Sequence, residues 1–196
     1  MSEYHSLVRR DALRICPPGQ VEKVLEVGCG TGETLAHMKQ TGLAKHVTGV
    51  EREPSCAESA NPILDVYLTM DAEEFYPQEE YGAILLLDVL EHLVDPFAML
   101  KRFAASLAPG GYMLVSIPNI RNLGILKDLI FRGEWEYRDF GILDRTHLRF
   151  FTHDSFLRAA TLAVPDLRLQ EYASNDESHP APWKWLLALP HFRSEE

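Results

Sequence analysis

The stretch Val24-Leu25-Glu26-Val27-Gly28-Cys29-Gly30-Thr31-Gly32 joins a short apolar segment to a turn with glycine at every second position. Glycine has no Cβ, so Gly28, Gly30 and Gly32 can adopt positive φ and let the backbone approach a bound molecule closely. A helical pattern follows, and its N-terminal amides would point at the same place. The stretch predicts a strand, a tight turn and a helix that together hold a nucleotide-like ligand in an α/β fold.

The spacing of the glycines disfavours a dinucleotide. That fingerprint is G-x-G-x-x-G or A, but Glu33 stands at its last position counting from Gly28, and Leu35 stands there counting from Gly30. The G-x-G-x-G turn, with Glu26 on the preceding strand, resembles the first motif of the class I methyltransferases that depend on S-adenosyl-L-methionine (SAM). The resemblance implies an enzyme with SAM as its cofactor and S-adenosyl-L-homocysteine as the product.

Further segments follow in the order expected for such a fold. Residues 83–87 are apolar without alternation, which is typical of a central strand buried on both faces of a parallel sheet. A helix predicted over residues 95–107 would end at Pro109-Gly110-Gly111. The predicted strands before and after it comprise residues 47–50, 65–68, 83–87 and 112–117. The alternation predicts an α/β fold with a Rossmann-like, doubly wound, mostly parallel sheet of the seven-strand type, flanked by helices.

The C-terminal third is less regular. Residues 123–131 and 152–163 are predicted to be helices, and residues 167–172 alternate as a half-exposed edge strand would. Residues 183–189 are predicted to form a short helix, so no last strand is placed after Tyr172. A linker is expected over residues 173–182, which are rich in Ser, Asn, Asp and Pro.

Several residues are expected at the cofactor. Glu51 ends the second strand about where a Rossmann-like fold places an acid that accepts from both ribose hydroxyls. The resemblance implies that Asp71 lies near the adenine amino group, although an Asp before Ala-Glu-Glu is equally typical of a helix N-cap. Residues 88–93 resemble the segment that closes over the cofactor near its sulfonium. The residues for which cofactor contacts are expected are Glu26, Gly28, Cys29, Gly30, Gly32, Glu51, Arg52, Asp71, Ala72, Asp88, Val89 and His92.

Residues 141–152 resemble a block found in bacterial methyltransferases associated with surface-polysaccharide and small-molecule pathways. Asp144 and Arg145 cannot both be buried without partners, because each charge is costly to desolvate. They could pair with each other, with His147 or with a polar substrate, and Asp144 is a candidate catalytic residue together with His147. His147 is the candidate general base, since an imidazole can accept a proton from a hydroxyl near neutral pH. The alternative is a structural brace between His147 and Asp144. Residues 118–152 are the expected substrate or lid region.

Composition and charge restrict the partners. The 196 residues match a single domain over 1–196, with a core over about 21–172. Lys and Arg number 19 against 29 Asp and Glu, a net charge of −10, and no basic stripe suggests nucleic acid as a partner. Arg9, Arg10 and Arg14 are expected on a solvated helical face. A small molecule is therefore the predicted acceptor.

Other classes of site are disfavoured. The three cysteines form no C-x-x-C pattern, which favours a reducing cytoplasm, and Cys29 is expected to be inert packing. The first residues carry no apolar leader, and no run is long enough to cross a bilayer. No H-x-x-x-H or clustered carboxylate spacing indicates a metal, although distant residues could still converge in the fold.

Together these features predict a SAM-dependent methyltransferase that acts on a small molecule, with a sugar or surface-polysaccharide precursor as the candidate acceptor. One alternative is a non-catalytic SAM-binding accessory protein, because residues 116–119 and the aromatic block after them are also similar to MetW-type proteins of methionine biosynthesis. The other alternative, a nucleic-acid or protein methyltransferase, is disfavoured by the acidic balance.

Overall fold

The computed structural model describes residues 7–174 and 184–190, and for 171–174 and 184–190 we describe the backbone alone. One sheet of seven strands organises the fold, in the order β3-β2-β1-β4-β5-β7-β6. The strands are β1 (Val21–Val27), β2 (Ala44–Glu51), β3 (Val66–Thr69), β4 (Tyr81–Leu87), β5 (Leu107–Pro118), β6 (Glu171–Ser174) and β7 (Lys184–Pro190). The first five strands pair in parallel, and β7 pairs antiparallel with both β5 and β6.

Helices cover both faces of the sheet. They are α1 (Arg10–Leu13), α2 (Glu33–Gln40), α3 (Pro54–Ala57), α4 (Pro96–Ala104), α5 (Leu123–Arg132) and α6 (His153–Ala163), and a single 3₁₀ turn spans Leu90–His92. Side chains of β4 alternate between two cores: Ile84 lies in a cluster with residues of α4 and α6, whereas Leu85 lies in one with residues of α1 and α2. Both faces of β4 are therefore buried, which agrees with the prediction from its continuous apolar run over residues 83–87.

The fold class and the central position of β4 are confirmed. The helix predicted over residues 95–107 is shorter than expected, because α4 ends at Ala104 and Leu107 already pairs with Tyr81. Pro109-Gly110-Gly111 therefore lies in the first part of β5, where the register with β4 shifts. The positive φ of Gly110, +73°, accommodates this irregularity.

The predicted helix over residues 183–189 is wrong. Lys184–Pro190 is strand β7, which fills the gap between β5 and β6 and pairs along β5 from Tyr112 to Pro118. A short apolar run fits a strand as well as a helix, and pairing with β5 decides between them. The edge strand predicted over residues 167–172 begins four residues later, and it comprises Glu171–Ser174. Trp183 and residues 175–182 of the predicted linker lie outside the described residues, whereas 173 and 174 belong to β6.

The two helices predicted on either side of the 141–152 block are present. Asn122 caps α5 by accepting from the amides of Gly124 and Ile125, and α5 ends at Gly133, whose φ is +69°. Thr152 forms a capping box with Ser155 at the start of α6. Among the described residues, none of the helices is both long and apolar enough to span a membrane.

Candidate active site

The glycine turn lies where the carboxyl ends of β1, β2 and β4 meet. Gly28, Gly30 and Gly32 all have positive φ, at +71°, +54° and +83°. A Cβ added to Gly28 would lie 2.7 Å from Cγ2 of Val89, in the segment that follows β4. The turn therefore needs glycine for two reasons, a left-handed backbone and a neighbouring chain packed against it. We call residues 28–32 the cofactor cradle, because a left-handed glycine turn at the carboxyl edge of the sheet fits a cofactor that lies against the backbone.

Glu51 is held in a fixed orientation at the end of β2. It is 7% exposed, and its Oε2 accepts from the amide of Gly30 at 3.0 Å while Oε1 accepts from the amide of Glu53 at 2.9 Å. Each carboxylate oxygen can accept more than one hydrogen bond. The expected acid is thus tied directly to the glycine turn and keeps acceptor capacity for a ligand.

Glu26 provides a second buried carboxyl at the same edge. It is 3% exposed, and within the described residues its Oε2 has no hydrogen-bond partner. Burial raises the pKa of Glu26 to about 8, with the Arg9 guanidinium acting in the opposite direction and the Glu51 carboxylate adding to the rise. A cationic group of a ligand would favour the ionised form, so this carboxyl is suited to receive one.

Arg9, which precedes α1, bridges the end of β4 and the last part of β5. Its Nη1 donates to Oδ2 of Asp88 at 2.9 Å and its Nη2 to Oγ of Ser116 at 3.2 Å. The Ser116 hydroxyl donates to Oδ1 of Asp88 at 2.7 Å, and Asp11 makes a second ion pair with the guanidinium at 3.0 Å. The side chain of Arg9 is only 16% exposed, so the expectation of a solvated face is wrong for this residue. It holds for Arg10 and Arg14, which are exposed.

Asp88 has φ of +59° and is the only non-glycine residue with positive φ in the described part of the chain. Its amide donates to the carbonyl of Ser116 at 3.0 Å, so β5 holds the strained backbone as well as the side chain. A left-handed aspartate costs about 1 kcal/mol or more. This left-handed residue turns the chain sharply after β4. Val89 consequently packs on the glycine turn, and the 3₁₀ turn follows directly after it.

The 3₁₀ turn is joined to a loop that we call the His147 loop (residues 138–149). The carbonyl of Glu91 accepts from the amides of Leu148 and Arg149 at 2.8 and 3.0 Å. The rings of His92 and His147 meet edge to face, with centroids 4.7 Å apart. Burial, and then the neighbouring His147, lowers the pKa of His92 below its ordinary value. Two imidazoles from distant parts of the sequence thus lie together beside the cofactor cradle.

His147, the candidate base, is 8% exposed. Its Nδ1 lies 2.9 Å from the carbonyl oxygen of Ile142, and its Nε2 lies 4.0 Å from Oε1 of Glu91. Asp144 does not form the side-chain brace considered as the alternative. Its Oδ1 accepts instead from the Thr146 hydroxyl at 2.6 Å and the Thr146 amide at 2.8 Å. The brace on the His147 ring is the carbonyl of Ile142.

Asp144 and Arg145 do not pair with each other. Arg145 is exposed and pairs with the exposed Asp139 at 2.8 Å. Hydrogen bonds from Thr146 keep the pKa of the partly buried Asp144 below its ordinary value despite the opposing effect of burial, which is the largest single influence. Their charges are therefore accommodated within the loop, and neither requires a substrate as partner.

An aromatic cluster lies next to His147. The ring centroids of Trp135 and Tyr137 are 5.3 and 6.2 Å from that of Phe150, and Phe150 is 6.5 Å from His147. Helix α5, which precedes this cluster, has no buried residue, and Ile130 and Phe131 near its end are 70% and 78% exposed. The expected substrate region therefore presents exposed apolar side chains on α5 and an aromatic cluster beside His147.

Of the remaining predicted cofactor residues, Arg52 follows β2, Asp71 and Ala72 follow β3, and Cys29 lies in the glycine turn. Arg52 is exposed, and Ala72 is partly buried against the core. Asp71 lies in a turn after β3, where its Oδ1 accepts from the amide of Glu73 at 2.8 Å; no helix begins there, so it is not a helix N-cap. Cys29 is buried and its pKa is raised by burial, in line with packing rather than chemistry.

Comparison with known proteins identifies the class to which this arrangement belongs. A methyltransferase-domain family matches residues 2–163. The ubiquinone biosynthesis O-methyltransferase of Bradyrhizobium diazoefficiens is 36% identical over 103 residues, 50% of this chain and 40% of that protein. The enzyme of the same name from Aeromonas salmonicida is 29% identical over 163 residues, 78% of this chain and 67% of that protein.

Solved structures share the fold. The putative methyltransferase in the complex with the Haloferax volcanii Trm112 activator has a TM-score of 0.72 at 16% identity, over 97% of this chain and 91% of that one. The N-methyltransferase NodS from Bradyrhizobium japonicum WM9, in complex with S-adenosyl-L-homocysteine, has a TM-score of 0.64 at 18% identity, over 96% and 86%.

The chain belongs to the methyltransferase-domain family. The prediction of the methyltransferase family is confirmed, and the fold shared with SAM-dependent methyltransferases agrees with the predicted class I type and with SAM as the predicted cofactor. The chain spans less than half the length of the Bradyrhizobium diazoefficiens relative, so its particular reaction is treated as a proposal.

Sequence reasoning missed three residues of this site: Arg9, Ser116 and Glu91. Arg9 looked like its neighbours Arg10 and Arg14, because nothing local shows that its partner is Asp88, which lies 79 residues away. Glu91 lies within residues 88–93, but the sequence indicated no role for it. Ser116 could have been predicted from its place near the end of β5, because it pairs with Leu87, the last residue of β4.

Proposed function

We propose that this chain transfers the methyl group of SAM to a hydroxyl oxygen of a small acceptor, with a sugar or surface-polysaccharide precursor as the acceptor class. The observation that carries the proposal is His147, a buried imidazole held next to the segment that packs on the glycine turn. SAM, when bound, supplies a methyl group on a good leaving group. The tasks left to the protein are positioning, exclusion of water and management of one proton.

The cofactor half of the proposal uses the residues at the carboxyl ends of β1, β2 and β4. Gly30 gives backbone approach, and Glu51, oriented by two amides, is proposed to accept from the ribose hydroxyls. Glu26 is proposed to receive the ammonium group of the amino-acid moiety, since its buried oxygen has no partner in the described residues. Asp71 and Ala72 remain the proposed neighbours of the adenine ring.

The acceptor half uses residues 118–152. The aromatic cluster of Trp135, Tyr137 and Phe150 supports an acceptor with a flat apolar face, as sugar rings and phenols both have. The hydrogen bond to Ile142 places the proton of neutral His147 on Nδ1, because a carbonyl oxygen only accepts. Nε2 is then the atom proposed to take the acceptor's proton as the methyl group arrives. Both ubiquinone biosynthesis relatives are O-methyltransferases by name, which supports an oxygen acceptor.

The proposal is tested by measuring S-adenosyl-L-homocysteine formation by the full chain with SAM and three panels of acceptors: nucleotide sugars, phenols and amines. We expect turnover with a hydroxyl acceptor, and the first two panels distinguish a sugar from a phenol. The variant His147→Gln should reduce turnover by about 10²-fold or more while leaving SAM affinity unchanged. The control Arg145→Gln changes an exposed residue of the same loop and should have little effect.

Two results would contradict the proposal. Turnover with amines alone would exclude oxygen as the acceptor atom. SAM binding without turnover on any panel would favour the non-catalytic accessory protein instead.

The cofactor assignment has its own experiment, calorimetric titration with SAM and with S-adenosyl-L-homocysteine. Gly30 has φ of +54°, which a β-branched residue rarely adopts, so Gly30→Val should weaken binding on the order of 100-fold or more. Gly133→Val introduces the same residue at φ of +69° after α5, away from the cradle, and should bind normally. Equal affinity in the two variants would refute the role of the turn.

A further inference from the structure

Three metal-ligating side chains converge beside the cofactor cradle. Glu91 and His92 come from the 3₁₀ turn after β4, and His147 comes from the loop that covers it. One ligand atom from each residue can be chosen so that all three lie within 4.8 Å of one another. No short-range spacing in the sequence joins them, because His147 lies far along the chain from the other two.

The ring of His147 is oriented for coordination through Nε2. Its Nδ1 lies 2.9 Å from the carbonyl oxygen of Ile142, which can only accept, so Nδ1 carries the proton of the neutral ring. The lone pair is then on Nε2, which faces Oε1 of Glu91 at 4.0 Å. A backbone carbonyl on the far nitrogen is the usual support of a metal-bound histidine.

His92 has the same arrangement. Its Nδ1 lies 3.0 Å from the Thr146 hydroxyl and 3.3 Å from the Thr146 carbonyl oxygen. The single hydroxyl proton of Thr146 is donated to Oδ1 of Asp144 at 2.6 Å, so the hydroxyl oxygen accepts from Nδ1 of His92. Nε2 of His92 therefore also carries its lone pair. Two independent hydrogen-bond chains thus select the same tautomer in both rings.

The cluster is held in place before any ion arrives. The carbonyl of Glu91 accepts from the amides of Leu148 and Arg149, which fixes the His147 loop on the 3₁₀ turn. Glu91 and His147 are 1% and 8% exposed. Two ligand atoms at about 2.1 Å from a tetrahedral ion are about 3.4 Å apart, so a pair at the 4.8 Å limit must approach by about 1.4 Å, or about 0.7 Å for each side chain.

We propose that Glu91, His92 and His147 bind one divalent transition-metal ion of the Zn²⁺ or Fe²⁺ type. Two imidazoles and one carboxylate suit these ions and not Mg²⁺ or Ca²⁺, which prefer oxygen ligands. Three protein ligands leave coordination positions open for water or an acceptor oxygen. With the ion bound, Nε2 of His147 is a ligand and no longer a base. The ion would instead lower the pKa of a coordinated acceptor hydroxyl, whose proton would pass to solvent water before the methyl group is transferred to the oxygen.

Binding of the ion stands independently of the proposed methyl transfer, and only its effect on the acceptor hydroxyl rests on that function. The full chain, stripped of metal with a chelator and dialysed, is titrated calorimetrically with Zn²⁺. We expect one site whose affinity falls by about 10²-fold or more in Glu91→Gln and His147→Gln. His153→Gln is the matched control, because His153 also pairs with a carboxylate, Asp154 at 2.9 Å, but lies outside the cluster.

A second variant separates binding from folding. Thr146→Val leaves all three ligands in place but removes the hydroxyl that supports His92, so it should weaken Zn²⁺ binding by about 10-fold. Its urea midpoint, measured without metal, reports any loss of stability. Absence of Zn²⁺ binding to the wild-type chain, or binding that Glu91→Gln and His147→Gln do not change, would overturn the proposal.

Turnover measured with and without chelator then separates the two roles of His147. Loss of turnover on chelation, restored by Zn²⁺ or Fe²⁺, supports the ion-bound role. Full turnover in the metal-free protein would refute that role and leave His147 as the base, even where Zn²⁺ binding is confirmed. A chain that binds Zn²⁺ but transfers no methyl group would contradict the proposed function alone.

Discussion

Replacing Gly28 with alanine tests how the glycine turn is held against the segment after β4. The new Cβ would meet Cγ2 of Val89 at 2.7 Å, and the backbone at φ of +71° is unfavourable for alanine. The left-handed backbone costs about 1 kcal/mol, and overpacking against Val89 adds about 1 to 3 kcal/mol. We therefore expect Gly28→Ala to lower the free energy of unfolding by about 2 to 4 kcal/mol.

A matched glycine isolates the steric part of this loss. Gly133 has φ of +69° and no atom within 4 Å of an added Cβ, so Gly133→Ala carries the backbone cost alone, about 1 kcal/mol. The difference between the two variants measures the contact with Val89. Urea unfolding followed by circular dichroism gives both values, provided that the denaturant slope is unchanged.

A double-mutant cycle with Val89→Ala completes the experiment. Removing Cγ2 takes away the atom that the new Cβ meets, so Gly28→Ala should cost no more in this background than Gly133→Ala does in the wild type. The expected coupling energy is about 1 to 3 kcal/mol. Equal losses for the two glycine variants, or additive effects of the two substitutions, would refute the packing argument.

Two further predictions concern the charges of the site. Burial raises the pKa of Glu26 to about 8 from an ordinary value of 4.5, so between these values the folded chain holds a proton that the unfolded chain has lost. The free energy of unfolding should therefore fall as pH rises through this window, in total on the order of a few kcal/mol, and Glu26→Gln should lack that component. Parallel pH profiles of urea unfolding for the two proteins would contradict this. Arg9→Gln should destabilise the chain by about 2 to 3 kcal/mol, because the Asp88 side chain, 5% exposed, loses its ion pair, whereas Arg10→Gln on the exposed face should change stability by less than about 0.5 kcal/mol. Equal thermal midpoints for the two arginine variants would show that the buried pair contributes nothing.

The parallel half of the sheet could be predicted because its signals are local. A continuous apolar run such as β4 indicates a strand that is buried on both faces. The alternate glycines of residues 28–32 indicate a tight left-handed turn after a strand. Strand β7 could not be recognised in this way. Its apolar residues fit a helix or a strand, and the partner that decides, β5, lies far away in the sequence.

The site shows the same division. Gly28 and Asp88 were predicted as cofactor residues from the family resemblance and Glu51 from its position after a strand, and the structure places all three at the edge where the carboxyl ends of the parallel strands meet, while their contact with the cofactor stays a prediction. Arg9 was not predicted, because three neighbouring arginines look alike until one of them reaches Asp88. The convergence of Glu91 with His147 also depends on how the His147 loop folds back, which spacing in the sequence does not encode.

The insertion of β7 between β5 and β6 has a consequence for synthesis of the chain. When β5 leaves the ribosome it can pair with β4, but its other edge must wait for a strand that is made much later. Until then the nascent chain presents unpaired amides and carbonyls along an apolar strand, which is a template for association with other chains. Loss of Lys184–Pro190 would make that temporary edge permanent, so truncation before this strand should cause aggregation even though the glycine turn, Glu51 and His147 are all retained.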